Sequence, residues 1–146
     1  RVVQRARLKL DSHIGELGCT LGEGLLRPTL IYARVVVELF ERFRINGLAN
    51  ITGGGVVENL PRVMPNNARA NIQRGSWPIP PIFGLIQRLG GISRSEMDRT
   101  FNNGLGMVAI VSAREADRVV AHLRRRKYGA HVVGEVTRGK RGVSFV

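Results

Sequence analysis

Asn50-Ile51-Thr52-Gly53-Gly54-Gly55 stands where a short apolar stretch, residues 47–52, gives way to residues 56–63, which restart as a helix before Pro65 closes it. The reading is strand, glycine turn, helix, a mixed unit that sets the interpretation of its neighbours. A second such unit follows. Residues 70–73 form a brief strand, and Pro80-Pro81 opens a helix through Leu89 that carries Ile82, Phe83, Leu85, Ile86 and Leu89. Proline in the first turn and Gly90-Gly91 after the last are the expected start and stop signals.

Upstream, residues 30–43 repeat apolar side chains at Tyr32, Val36, Phe40 and Phe43 and at Val35 and Leu39, which predicts a helix with Glu38, Glu41 and Arg42 facing outward. The β-branched run Val35-Val36-Val37 works against it. Downstream, Ser93 with Glu96 forms a capping box that starts a helix toward Phe101, and residues 105–111 read as a buried central strand. Ser112 with Glu115 is a second capping box. It opens a helix whose stripe is Ala116, Val119, Val120 and Leu123. Residues 132–136 and 143–146 are closing strands joined by a turn-rich 138–142 segment. No internal repeat is visible. The expected fold is α+β, a mixed sheet packed by helices in a layered domain. Residues 1–28 look like a lead-in without a complete core element, and the division expected is 1–16 as a linker from a preceding domain and 17–146 as the domain itself.

Composition narrows the functional classes. The 146 residues are about one domain's worth, and no apolar run approaches the roughly 20 residues a membrane span needs. A single cysteine, Cys19, cannot form an intramolecular disulfide, and no export signal precedes it, so a reducing, cytoplasmic setting is expected. The chain starts at Arg1 rather than Met, which suggests a processed chain or a piece of something longer. The formal net charge is +12, and 20 of the 23 basic residues are arginine, scattered along the length. Such a skew fits a GC-rich codon supply as well as a polyanionic partner. The one tight basic run, Arg124-Arg125-Arg126-Lys127, falls where cations also complement a helix C-terminus. Aromatic residues for base stacking are few.

The three glycines let backbone N–H groups converge without a Cβ in the way, and the helix that follows adds positive dipole, so the loop can cradle a phosphate. A plain tight turn would use the same residues. Neither the P-loop nor the dinucleotide glycine spacing is present, which argues against a self-contained nucleotide site. Glu58 and Arg62 stand four apart and can pair on a solvated face, or Asn59 or Arg62 can face a ligand held at the helix start. Trp77, in the proline-bounded Gly75-Ser76-Trp77-Pro78, reads as a packing anchor, and the Asn102-Asn103-Gly104 turn as structural. His13, His122 and His131 are scattered, with no ligand spacing around them, so no metal site is expected. By itself the chain does not look like a complete enzyme.

Taken in order, Leu17-Gly18, Leu25-Leu26-Arg27-Pro28-Thr29, Leu48-Ala49-Asn50-Ile51-Thr52-Gly53-Gly54-Gly55, Glu58-Asn59-Leu60-Pro61-Arg62, Gly75-Ser76-Trp77-Pro78, Pro81-Ile82-Phe83, Glu96-Met97, Arg99-Thr100-Phe101-Asn102 and Gly104-Leu105-Gly106-Met107 resemble the C-terminal half of the phosphoribosylformylglycinamidine cyclo-ligase (aminoimidazole ribonucleotide synthetase) family, from about residue 17 to residue 134. The resemblance implies ATP-dependent ring closure of formylglycinamidine ribonucleotide to aminoimidazole ribonucleotide, with ADP and phosphate released, in purine biosynthesis. It implies that ATP and Mg2+ are handled chiefly by an N-terminal half, which also makes the main contacts of a homodimer. None is expected to be bound by this segment alone, which would then be inactive. Substrate would lie in the cleft between the halves. The residues implied on the substrate side are Thr52, Gly53, Gly54, Gly55, Asn59, Arg62, Ser76 and Asn102. Two positions depart from the family pattern: Asn50 stands where His is common, and Gln73 where Asp is usual. Asn keeps a hydrogen-bond donor but not the proton transfer of a His. The alternatives are a basic module for RNA or another polyanion, or another member of the same ATP-using superfamily, which includes selenophosphate and thiamine phosphate producers. Membrane and nucleic-acid partners are not expected under the leading reading.

Overall fold

The computed structural model describes residues 2–146. Helix α1 (Val2–Arg5) leads to a small hairpin of β1 (His13–Ile14) and β2 (Cys19–Thr20), separated by a 3-10 turn at Gly15–Leu17. α2 (Leu21–Leu25) follows directly, then α3 (Ala33–Arg42) and β3 (Ile45–Asn50). α4 (Gly55–Asn59) runs on into a 3-10 turn at Leu60–Val63 and is followed by β4 (Ala68–Ile72). After α5 (Pro81–Gly90) and α6 (Arg94–Thr100) come β5 (Met107–Val111), α7 (Ala113–Arg125), β6 (Gly134–Arg138) and β7 (Gly142–Phe145).

The strands form three separate sheets. β1 and β2 make one, β3 and β5 an antiparallel ribbon with Asn50 opposite Met107, and β4 the centre of the third. There β6 pairs with β4 antiparallel and β7 pairs with it parallel, so the sheet is mixed and the fold is α+β, as expected. Alternation along β4 points Ala68, Ala70 and Ile72 inward, the period of two that a strand imposes. They meet Ala49 and Ile51 from β3 and its end, Val56 and Leu60 around α4, and Met64, Trp77, Leu105 and Val108 in one core. The strand-turn-helix unit therefore bridges the ribbon and the mixed sheet.

Several expectations change. Residues 105–111 are not a central strand: β5 pairs only with β3, and within it Val108 alone is buried. An apolar run marks burial of side chains somewhere along a strand, but not how many neighbours its backbone has. Glu38 does not face outward. Its side chain is 18% exposed and stands 2.9 Å from the Arg126 Nε and 3.5 Å from the His122 Nε2. The inward residues of α3 are Val35 and Leu39, while Phe40 is exposed. Ser112 does not cap α7 through its side chain; its hydroxyl meets the Glu115 carboxylate at 3.4 Å instead of a backbone N–H. Ser93 does accept from the Glu96 N–H at 3.2 Å, but the Glu96 carboxylate turns to Thr100. The closing strands lie within 134–138 and 142–145. The lead-in is better built than its composition suggests: Thr20 and Glu23 make a reciprocal capping box on α2, and Leu21 is 1% exposed. α1 packs on α5, and Glu16 takes the Arg88 guanidinium on both its oxygens.

Candidate functional site

At the end of β3 the buried Ile51 donates its N–H to the Gly106 carbonyl at 2.9 Å, and the chain then turns out to solvent at Thr52 and Gly53. Gly54 and Gly55 follow at φ +97° and +57°, two consecutive left-handed residues that the strand-to-helix reversal requires. Gly55 has a second reason to be glycine: a Cβ there would occupy the space of the Asp98 and Phe101 carbonyl oxygens at the end of α6. Gly53 has neither reason, because its φ is ordinary and a Cβ would meet nothing within 4 Å.

Asn59, 5% exposed on α4, holds the loop from inside. Its Nδ2 donates to the carbonyls of Gly55 at 2.8 Å and Gly53 at 3.1 Å, with Thr52 at 3.4 Å. With the carbonyls turned inward, the N–H groups of Gly53 and Gly54 have no acceptor among the described residues. The result is a solvent-facing loop rich in backbone donors, held by one buried amide.

α6 supports this loop and ties in two further motifs. Asp98, buried, takes the Arg74 Nη2 at 2.7 Å, and the Arg74 guanidinium lies 4.1 Å from the Phe145 ring centroid. Asn103, at φ +47°, donates to the Met97 carbonyl at 3.2 Å and to Asp98 Oδ1 at 3.3 Å. The Trp77 indole N–H donates to the Asn103 carbonyl at 2.9 Å, so Trp77 is the packing anchor expected of it. Asn102 accepts the Gly104 N–H at 3.0 Å, a local turn bond. Glu58 does not pair with Arg62; its partner is Arg99 of α6 at 3.1 Å, because the two helices pack together.

The sequence-derived residues are thus distributed unevenly. Thr52, Gly53, Gly54, Gly55 and Asn59 form one unit, with Asn50 exposed at the strand end beside it. Asn102 is linked through Phe101, whose carbonyl abuts Gly55. Ser76 is partly buried and donates its hydroxyl to the Gln73 carbonyl at 2.7 Å, while Gln73 itself is exposed. Arg62 is exposed and makes no ion pair or side-chain hydrogen bond among the described residues. Asp98, Arg74 and Asn103 were missed as parts of this assembly. Only the Asn103-Gly104 dipeptide carried a local signal, that of a left-handed turn; the Arg74–Asp98 pair spans 24 residues and has none. Tyr32, one of the apolar positions of the expected 30–43 helix, stands just before α3 and lies over Gly106, where a Cβ would strike its hydroxyl. That places the phenol near the end of the ribbon that carries Asn50. Burial first and the neighbouring Tyr128 second push its pKa up, so the phenol stays protonated at neutral pH. No group of three or more His, Cys, Asp or Glu side chains that could hold a metal ion occurs among the described residues.

Residues 5–146 match the family described as AIR synthase related protein, C-terminal domain, and the chain belongs to that family. Among curated proteins, it is 46% identical over 131 residues to the phosphoribosylformylglycinamidine cyclo-ligase of Syntrophotalea carbinolica, covering 90% of this chain and 37% of the relative. The enzyme of the same name from Acetivibrio thermocellus is 44% identical over 94% of this chain and 40% of its own length. That of Geobacillus kaustophilus is 46% identical over 99% of this chain and 41% of its own length. The chain spans about two fifths of the length of these relatives.

Proposed function

We propose that this chain is the C-terminal, substrate-side part of a phosphoribosylformylglycinamidine cyclo-ligase, which closes the imidazole ring of aminoimidazole ribonucleotide at the expense of ATP. The observation that carries the reading is the 52–55 loop: its carbonyls are bound by Asn59 and its Gly53 and Gly54 N–H groups have no acceptor among the described residues. Such a loop suits the phosphate of a ribonucleotide, since several fixed donors share one anion without rearranging. In this reading Thr52, Gly53, Gly54 and Gly55 hold the phosphate, Asn59 positions the loop, and Arg62, Ser76 and Asn102 border the substrate. Asn50 offers its amide to the substrate as a hydrogen-bond donor.

The ring closure needs the formyl oxygen converted to a leaving group by ATP and the amidine nitrogen held for attack. This chain's part is orientation, which turns an unfavourable encounter into an intramolecular step. The described residues include no carboxylate cluster suited to Mg2+, so no step through the metal is assigned to them. ATP and Mg2+ belong, in this proposal, to the remaining three fifths of the protein, which residues 1–16 connect to the domain. That part also makes a cytoplasmic homodimer. No helix among the described residues is long and apolar enough to cross a membrane. The +12 charge does not favour an RNA-binding module over this reading, because the family match accounts for nearly the whole chain.

The test is ATP-dependent phosphate release with formylglycinamidine ribonucleotide, measured on the full-length protein that carries this segment. Release matched by aminoimidazole ribonucleotide is expected. A folded protein that releases none overturns the proposal and redirects the search to other substrates of the superfamily.

A further inference from the structure

A separate recess lies between the end of α3 and one face of α7, sharing no residue with the glycine loop. It is lined by Arg42, Phe43, Arg118, Ala121, His122 and Arg125, and its volume is about 500 Å³. The four α7 positions are spaced i, i+3, i+4 and i+7, a single helical stripe. Phe43 meets the His122 ring edge-on, with centroids 5.6 Å apart, and the Arg118 guanidinium carbon lies 5.8 Å from the Phe43 centroid.

The charge around it is not neutralised. Arg42, Arg118 and Arg125 form no ion pair and no side-chain hydrogen bond among the described residues. The Glu38 carboxylate, beside His122, is engaged by Arg126 at 2.9 Å and Arg34 at 3.8 Å, neither of which lines the recess. His122 is 8% exposed, and its Nε2, 3.5 Å from Glu38, has no hydrogen-bond partner. Arg42, Arg118 and Arg125 are exposed, but they converge around one concave surface with an aromatic wall instead of standing in a row. Their planar forks match phosphate oxygens.

We propose that this recess binds a small, multiply charged phosphate compound. The volume suits a compact ligand of a few phosphate groups, within the roughly 300–1,000 Å³ typical of small-molecule sites. The proposal does not depend on the cyclo-ligase reading, because the two sites share no residues.

The experiment titrates the full-length protein that carries this segment, with its nucleotide and ribonucleotide sites filled by ADP and aminoimidazole ribonucleotide, with sodium tripolyphosphate by calorimetry at physiological ionic strength. Saturable one-to-one binding is expected. The R118E/R125E variant is expected to weaken it roughly tenfold or more, since two fork donors become repulsive. The R94E/R141E control, with the same charge change at exposed positions outside the recess and off α7, should weaken it less than about twofold because screened distant charges contribute little. Absence of saturation, or equal weakening in both variants, overturns the proposal. So does a single-stranded RNA that binds while tripolyphosphate does not displace it, which would assign the charge to a polymer. If R118E/R125E melts early, the unmodified full-length protein decides. Tripolyphosphate must shift the NMR signals of the Arg42, Arg118 and Arg125 Nε–H groups and the His122 ring, and shifts confined elsewhere overturn the assignment.

Discussion

The side-chain amide of Asn59 donates to the carbonyl oxygen of Gly55 at 2.8 Å, and the same nitrogen reaches the Gly53 carbonyl at 3.1 Å. One buried side chain therefore sets which way the peptide units of the glycine loop face. Asn59→Ala removes a donor from the buried Gly55 carbonyl and the part-buried Gly53 carbonyl, and should lower stability by about 1–3 kcal/mol. Urea unfolding of the two chains measures it. A difference below about 0.5 kcal/mol, the range of ordinary surface changes, would show that the clamp does not hold the loop.

The glycines of the loop should separate cleanly. Gly55→Ala combines a left-handed φ of +57° with a collision against the Asp98 and Phe101 backbone, neither of which can swing away. A loss of about 3 kcal/mol or more is expected from strain plus overpacking. Gly53→Ala meets open space at an ordinary φ, so its unfolding midpoint should match or slightly exceed that of the parent. In the full-length enzyme, Gly53→Ala should instead raise the KM for the ribonucleotide, because the methyl would stand in the proposed phosphate position. Equal destabilisation by both substitutions would contradict this division.

Glu23 titrates through its cap. The Thr20 backbone N–H donates to its carboxylate at 2.8 Å, and the Thr20 hydroxyl at 2.9 Å; these, in that order, hold its pKa below the ordinary glutamate value. A carboxyl whose folded pKa is depressed adds stability above its unfolded pKa. That stability is lost as pH falls through the folded value. α2 should accordingly fray in acid while β4 and its neighbours persist. Carboxyl NMR titration of Glu23 gives the direct check: Thr20→Ala should return its pKa toward the ordinary range, and no movement would remove the hydroxyl from the cap.

Asn50→His bears on the proposed reaction. Asn50 is exposed at the strand end and has no side-chain hydrogen bond among the described residues, so the larger ring meets no buried neighbour. Cyclo-ligase kcat/KM in the full-length protein should be retained or improved. Complete loss of turnover with the fold intact would count against the placement of Asn50 beside substrate.

Much of the architecture was written in local patterns. The strand, glycine turn and helix around residue 53 appear as read, because a left-handed reversal needs glycine wherever the chain folds. Pro81 at the first turn of α5 and Gly91 beyond its end bound that helix for equally local reasons. The ordered motifs from Leu17 to Met107 were enough to indicate the family. These signals are local in origin: each is carried by a few consecutive residues and their own backbone preferences.

Tertiary structure decided what depends on partners distant in the chain. β5 became one side of a two-stranded ribbon, since the number of neighbours of a strand is set by how sheets assemble and not by its hydropathy. Glu38 turned inward because α7 brings His122 and Arg126 to it, and Glu58 took Arg99 in place of Arg62 because α4 packs on α6. Only the folded chain shows why Asn59, a residue its sequence context offers equally to solvent or ligand, must be an amide: three carbonyls of a reversed loop converge on its nitrogen. Local preferences determined which segments become helix, turn and strand, while the pairing of buried polar groups, which must find acceptors across the core, was settled by packing.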